Sequence, residues 1–109
     1  MINYHTTVAE ALFELEREMR ALELWEKQSP PAQALASTQP FAVDTLRFPQ
    51  WLQFIFIPRL YSLVEHRAPL PINSSVAPMG EEYFRPLPVN SDRLVEQLRR
   101  IDTLLSQSN

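Results

Sequence analysis

A single glycine stands against ten prolines in these 109 residues, and this imbalance restricts the fold more than any other feature of the sequence. Tight hairpin turns favour glycine, so one glycine argues against a β fold rich in hairpins. The lone Gly80 also leaves no glycine-rich loop that could cradle a phosphate group. Prolines tend to end helices or to begin them. The sequence therefore predicts an all-α protein whose helices are separated by proline-rich connections.

Apolar residues recur at spacings of three and four along much of the chain, which is the pattern of amphipathic helices. Long helices are expected over residues 5–28, from Pro49 to about His66, and from a cap at Asn90 or Ser91 onwards. Thr6 or Thr7 is expected to cap the first helix, and the Pro30–Pro31 pair is expected to stop it.

Two shorter helices are expected over residues 32–36 and 78–84, within the connections between the long ones. A chain of this length can bury about 65% of its unfolded surface, enough for one core without disulfides. We therefore expect one domain, residues 1–109, folded as a compact helical bundle of three long helices and one or two short ones.

The segment FPQWLQFIFIPRL, residues 48–60, begins a helix that is apolar on nearly every side. Such a helix fits a buried core, a groove or interface, or a membrane. Gln53, Arg59 and Ser62 interrupt the apolar surface, and its apolar part covers only residues 51–64, which is short for a membrane span. Burial by the protein's own helices is the favoured interpretation. Pro58 lies inside this helix and predicts a kink.

Composition narrows the classes of function. The chain has no cysteine, which excludes disulfides, thiolate catalysis and cysteine-bound zinc, and which fits a cytoplasmic location. The first residues lack the basic and apolar regions of a secretory signal. The net charge of −3 argues against direct binding of nucleic acid, which needs many basic groups against phosphates.

Clusters of reactive side chains are scarce. Neither His5 nor His66 has a partner at metal-ligand spacing, and no serine lies in a nucleophile-elbow sequence. We therefore predict no catalytic residue, no metal ligand and no cofactor. Asp44 is expected to cap a turn or to pair with an arginine. Arg59 is expected to bond internally to Asp44 or to loop carbonyls, or else to hold an anionic group in an aromatic cleft.

The predicted contact surface is the cleft where residues 38–45 and 68–80 flank the kinked helix. The candidate cleft residues are Gln39, Phe41, Asp44, Trp51, Arg59 and Tyr61. Such a cleft suits a protein partner or a small ligand, so the favoured function is a non-catalytic binding or protein-interaction module. Exposed aromatic side chains would also permit a homodimer.

Several strings of residues, in this order and spacing, resemble the YqcC-like family of small bacterial proteins. They are STQPF at 37–41, DT at 44–45, WLQFIFIPRL at 51–60, PLP at 69–71 and AP at 77–78. The resemblance covers roughly residues 5–106 and implies a compact all-α bundle. Members are sometimes labelled tRNA pseudouridine synthase C, by gene association. Because this chain has no credible sheet and little positive charge, the resemblance implies an accessory protein to that modification rather than the enzyme, as the alternative function.

Overall fold

Helices form all the regular structure over residues 3–108, the range that the computed structural model describes, and no strand occurs within that range. The α-helices are α1 (Tyr4–Ala21), α2 (Ala32–Leu35), α3 (Phe48–Trp51), α4 (Ile57–Glu65), α5 (Val76–Phe84) and α6 (Asp92–Gln107). A π-helical segment, Leu52–Phe56, joins α3 directly to α4, and a 3-10 turn covers Pro40–Ala42. The predicted all-α fold is confirmed.

The core lies where α1 and α6 meet the helix formed by α3, the π segment and α4. α1 packs against both α6 and α4, while α5 packs against both α6 and α3. The predicted apolar stripe of α6 is almost free of solvent, and it consists of Leu94, Leu98, Ile101 and Leu105. Each such leucine or isoleucine contributes about 1.5–3 kcal/mol through its burial. Among residues 3–108, none of the helices is long and apolar enough to cross a membrane.

α1 ends earlier than its apolar pattern predicts. The helix expected to reach residue 28 stops at Ala21, and Glu23 takes a left-handed conformation with φ 59°. The N–H of Glu23 donates to the carbonyl of Arg20 at 3.0 Å, and the N–H of Leu24 donates to the carbonyl of Met19 at 2.9 Å. This double closure usually uses glycine at the left-handed position. The predicted end at Pro30–Pro31 is wrong, because Glu23 takes the left-handed conformation in place of a glycine and the helix ends before it.

The predicted cap of α1 also differs from the structure. Asn3, rather than Thr6 or Thr7, caps α1, because its Oδ1 accepts the N–H of Thr6 at 3.2 Å. The second long helix, expected to begin at Pro49, begins one residue earlier at Phe48, after the extended residue Arg47. The prediction for α6 is closer, since Asn90 Oδ1 accepts the N–H of Asp92 at 3.2 Å.

The π segment accommodates Pro58. The N–H of Ile57 donates to the carbonyl of Leu52, five residues earlier, and the proline then lies in the first turn of α4. In a regular helix the proline ring would clash with a carbonyl one turn earlier, so a wider turn relieves the contact. The wider turn also brings residues five apart onto one face. The rings of Trp51 and Phe56 accordingly stack at a centroid distance of 5.1 Å.

Gln53, a buried polar residue of the π segment, fixes the connection that follows α1. Its Oε1 accepts the N–H of Glu26 at 2.8 Å, and its Nε2 donates to the carbonyl of Glu26 at 2.7 Å. The carboxylate of Glu26 in turn accepts hydrogen bonds from Arg47 at 2.9 Å and Gln50 at 3.3 Å. The chain after α1 is thereby held against the start of the helix formed by α3, the π segment and α4, called here the central helix.

Asp102 of α6 supplies the N-terminal cap of α5. Its Oδ1 accepts the N–H of Val76 at 3.0 Å and the hydroxyl of Ser74 at 2.6 Å, and its Oδ2 accepts the N–H of Ala77 at 2.8 Å. Ser75 precedes the helix but makes no side-chain cap bond. A carboxylate at a helix N-terminus also interacts favourably with the helix dipole.

Replacing Asp102 by alanine is expected to lower the free energy of unfolding by about 1–2 kcal/mol, because the cap of α5 is lost. Urea denaturation followed by circular dichroism measures the change. Arg93→Ala is the matched control, since Arg93 is exposed on α6 and forms no ion pair within residues 3–108. Equal denaturation midpoints for both variants would contradict the capping role.

Tyr61 of α4 gives the fold a dependence on alkaline pH. Burial, with a smaller contribution from the Glu16 carboxylate of α1, raises the pKa of its hydroxyl above the ordinary value of 10.0. As pH rises through 10, the unfolded chain releases this proton while the folded chain retains it. Folded molecules then bind more protons than unfolded ones, so stability falls as pH increases.

Tyr61→Phe is expected to reduce this alkaline loss of stability, because phenylalanine has no hydroxyl to titrate. Urea midpoints measured at several pH values from 9 upwards, about where a tyrosine begins to ionise, give the slope. Glu16→Gln should keep most of the parent slope, because burial is the larger cause of the shift. An unchanged slope in Tyr61→Phe would show that another group dominates alkaline unfolding.

Candidate functional site

The six residues predicted to form one cleft lie in different parts of the surface. Phe41 lines one groove, Trp51 and Arg59 line a second, and Tyr61 faces α1. Gln39 and Asp44 are exposed, and each forms a hydrogen bond with Ser37. The Ser37 hydroxyl donates to Asp44 Oδ1 at 2.5 Å and accepts the N–H of Gln39 at 3.1 Å. These two residues therefore support the turn that carries Phe41.

The first groove, called here the aromatic groove, has a volume of about 400 Å³. It is lined by Phe41, Val43, Leu46, Arg47, Phe48, Met79, Glu82 and Tyr83. Both of its charged side chains are paired, because Arg47 contacts Glu26 at 2.9 Å and Glu82 contacts Arg85 at 3.7 Å. The groove is therefore an apolar surface without an uncompensated charge.

Backbone strain marks the edge of the aromatic groove. Phe41 and Ala42 are consecutive residues in the left-handed region, with φ values of 58° and 49°. Each such residue costs on the order of 1–3 kcal/mol and persists only where its surroundings hold it. The turn places the Phe41 ring 4.8 Å from that of Trp51 and leaves Val43 64% exposed. An exposed valine beside a strained turn is a candidate contact point.

The second groove, called here the Arg59 groove, lies between the central helix and the connection to α5. It has a volume of about 360 Å³ and is lined by Trp51, Phe56, Arg59, Leu60, Leu63, Pro69, Leu70, Pro71 and Ser74. Trp51 and Leu60 are buried, whereas Arg59 is exposed. Within residues 3–108, the Arg59 side chain forms no ion pair and no hydrogen bond, and Asp44 bonds to Ser37 instead.

Helix geometry separates Tyr61 from Arg59. Residues two apart on a helix do not face each other, so the two side chains point in different directions. Tyr61 lies near the outer surface of α1, where Phe13 is 62% exposed. Trp51 and Arg59 line one groove, and the π segment and Pro58 lie between them along the helix.

Phe56, Leu63 and Leu70 also line the Arg59 groove, although they are not among the predicted cleft residues. In an almost wholly apolar segment, no pattern distinguishes the side chains of the core from those of a groove. The PLP string at 69–71 is the one sequence signal for this groove, because its two prolines restrict the backbone that forms one wall.

Over residues 3–108, no group of three or more histidine, aspartate or glutamate side chains is placed to hold a metal ion. Both histidines bond to backbone carbonyls. His5 Nε2 donates to Ala68 and His66 Nδ1 donates to Ser62, each at 2.8 Å.

Comparison with known proteins gives a consistent set of relatives. Uncharacterised protein YqcC of Escherichia coli is 31% identical over 102 residues, which are 94% of each chain. Its solution NMR structure is 30% identical with a TM-score of 0.87, and the match covers 99% of this chain and 92% of that one. An uncharacterised protein of Haemophilus influenzae is 39% identical over 74 residues, 68% of this chain and 70% of that protein.

A longer relative carries a functional name. A protein of Pectobacterium carotovorum named tRNA pseudouridine synthase C is 38% identical over 64 residues, 59% of this chain but 17% of that protein. The sequence model of the DUF446 family, described as tRNA pseudouridine synthase C, matches residues 7–104. The match spans nearly the whole chain, and this protein therefore belongs to the DUF446, or YqcC-like, family.

Proposed function

We propose that this chain is a non-catalytic protein-interaction module that binds a tRNA pseudouridine synthase and assists it. The carrying observation is the Pectobacterium relative, in which the matched segment makes up 17% of a protein named tRNA pseudouridine synthase C. More than four fifths of that protein lies outside the match. The matched segment there is one part of a longer polypeptide, as expected for a module that works beside an enzyme.

Fusion of two modules in one chain and binding between two separate chains have the same physical effect, because both keep the modules close together. Joining two modules in one chain gives the second a high effective concentration around the first. A separate chain has to achieve the same proximity through a binding surface. The aromatic groove and the Arg59 groove are suitable surfaces, because both combine apolar walls with a few polar groups.

In such a complex the enzyme contacts the RNA and this module does not. With thirteen acidic and ten basic side chains, the chain has little attraction for phosphates. Five of the arginines are also engaged in ion pairs, which are Arg17, Arg20, Arg47, Arg85 and Arg99. A cytoplasmic location follows from this proposal, because a partner that modifies tRNA works where tRNA is present.

Mixing the purified chain with the tRNA pseudouridine synthase C of the same organism should give a stoichiometric complex in sedimentation velocity. A pseudouridine synthase of another family serves as the control and is expected to sediment separately. The absence of a complex at micromolar concentrations of both proteins would overturn the proposal.

A tRNA titration separates this proposal from direct RNA binding. The chain alone is expected to leave the mobility of tRNA unchanged at low salt, because its net charge is negative. The same titration at higher salt tests whether any binding is electrostatic. Binding at low salt that disappears at high salt would favour an RNA-contacting accessory protein instead.

A further inference from the structure

The Arg59 groove differs from the aromatic groove in its charge. Arg59 is the one charged residue among its lining residues within the described range, and it has no ion-pair partner there. The lining hydroxyl, that of Ser74, already donates to Asp102 at 2.6 Å. The groove thus presents an apolar surface beside a single uncompensated cation.

Other arginines near surface depressions have acidic side chains around them. Arg47 pairs with Glu26 at the aromatic groove, and Arg99 pairs with Glu81 at 2.7 Å between α5 and α6. Arg100 has no ion pair over residues 3–108, but it shares its surroundings with acidic residues. These are Glu10, Glu14 and Glu96. An acidic occupant is therefore attracted to the Arg59 groove more than to these depressions.

The walls of the Arg59 groove are already ordered in the unbound chain. Pro69 and Pro71 restrict the backbone of the connection, and Leu70 between them is 8% exposed and anchors it to the core. Farther along, the Asp102 carboxylate fixes Ser74. A surface that is already ordered loses little conformational entropy on binding, so more of the contact energy contributes to affinity.

We propose that the Arg59 groove is the docking surface for the protein partner, and that the partner inserts an apolar side chain flanked by an aspartate or glutamate. The volume of about 360 Å³ accommodates one large side chain or two small ones. The carboxylate pairs with the Arg59 guanidinium, whose planar fork can bond both oxygens of a carboxylate. This inference rests on the proposed function, because it names the surface that the synthase uses.

The test compares Arg59→Glu with Arg93→Glu in binding to the tRNA pseudouridine synthase C of the same organism, measured by isothermal titration calorimetry. Both variants reverse one exposed arginine that is unpaired within residues 3–108, so they change the net charge equally. Arg59→Glu is expected to raise the Kd by about tenfold or more, because a charge-assisted bond is lost and a repulsion is added. Arg93→Glu is expected to retain the parent Kd within about twofold, because Arg93 is an exposed residue outside the lining of the groove.

Equal binding by the parent and Arg59→Glu would overturn the groove assignment and leave the proposed function intact. Failure of the parent chain to bind would instead overturn both. Thermal melts of the two variants should match the parent, because both positions are exposed. Sedimentation of the chain alone tests a second copy as the occupant, and a dimer that Arg59→Glu dissociates would replace the partner proposed here.

Discussion

Pro58 imposes the constraint on which the rest of the structure depends. The central helix has to remain buried while it passes a residue that has no backbone N–H. The π segment resolves this conflict by widening one turn, and the wider turn stacks Trp51 on Phe56. It also carries Gln53, whose amide holds both backbone groups of Glu26. One proline thus influences the aromatic cluster and the path of the chain after α1.

The elements that depend on local pattern could be predicted, and those that depend on distant contacts could not. α6 follows from its apolar spacing, and α2 and α5 follow from apolar segments bounded by turn residues. The end of α1 escaped prediction because Glu23 occupies a position where glycine is usual. Gln53 and Asp102 escaped for another reason, since each bonds to backbone groups more than twenty residues away along the chain.

The residues of the candidate site also divide into those whose placement was predicted correctly and those whose placement was not. Trp51 and Arg59 were predicted to share a surface, and they line one groove. Tyr61, the third residue predicted to share that surface, lies elsewhere, because a helix directs residues two apart to different sides. Gln39 and Asp44 both bond to Ser37 and support the turn that carries Phe41. Aromatic content leads to the hypothesis of a binding protein, whereas the assignment of side chains to a particular groove depends on the helical phase.

The capping of α5 by Asp102 has a consequence for how the chain acquires its structure. Because α5 has no side-chain cap of its own, its first turn is completed only when α6 is already in position. Formation of α5 is thus coupled to docking of the C-terminal helix, and the two should open and close as one cooperative unit. Hydrogen exchange would then give the amides of both helices a common free energy of opening, and the connection between them, although it is rich in proline, would not act as an independent hinge.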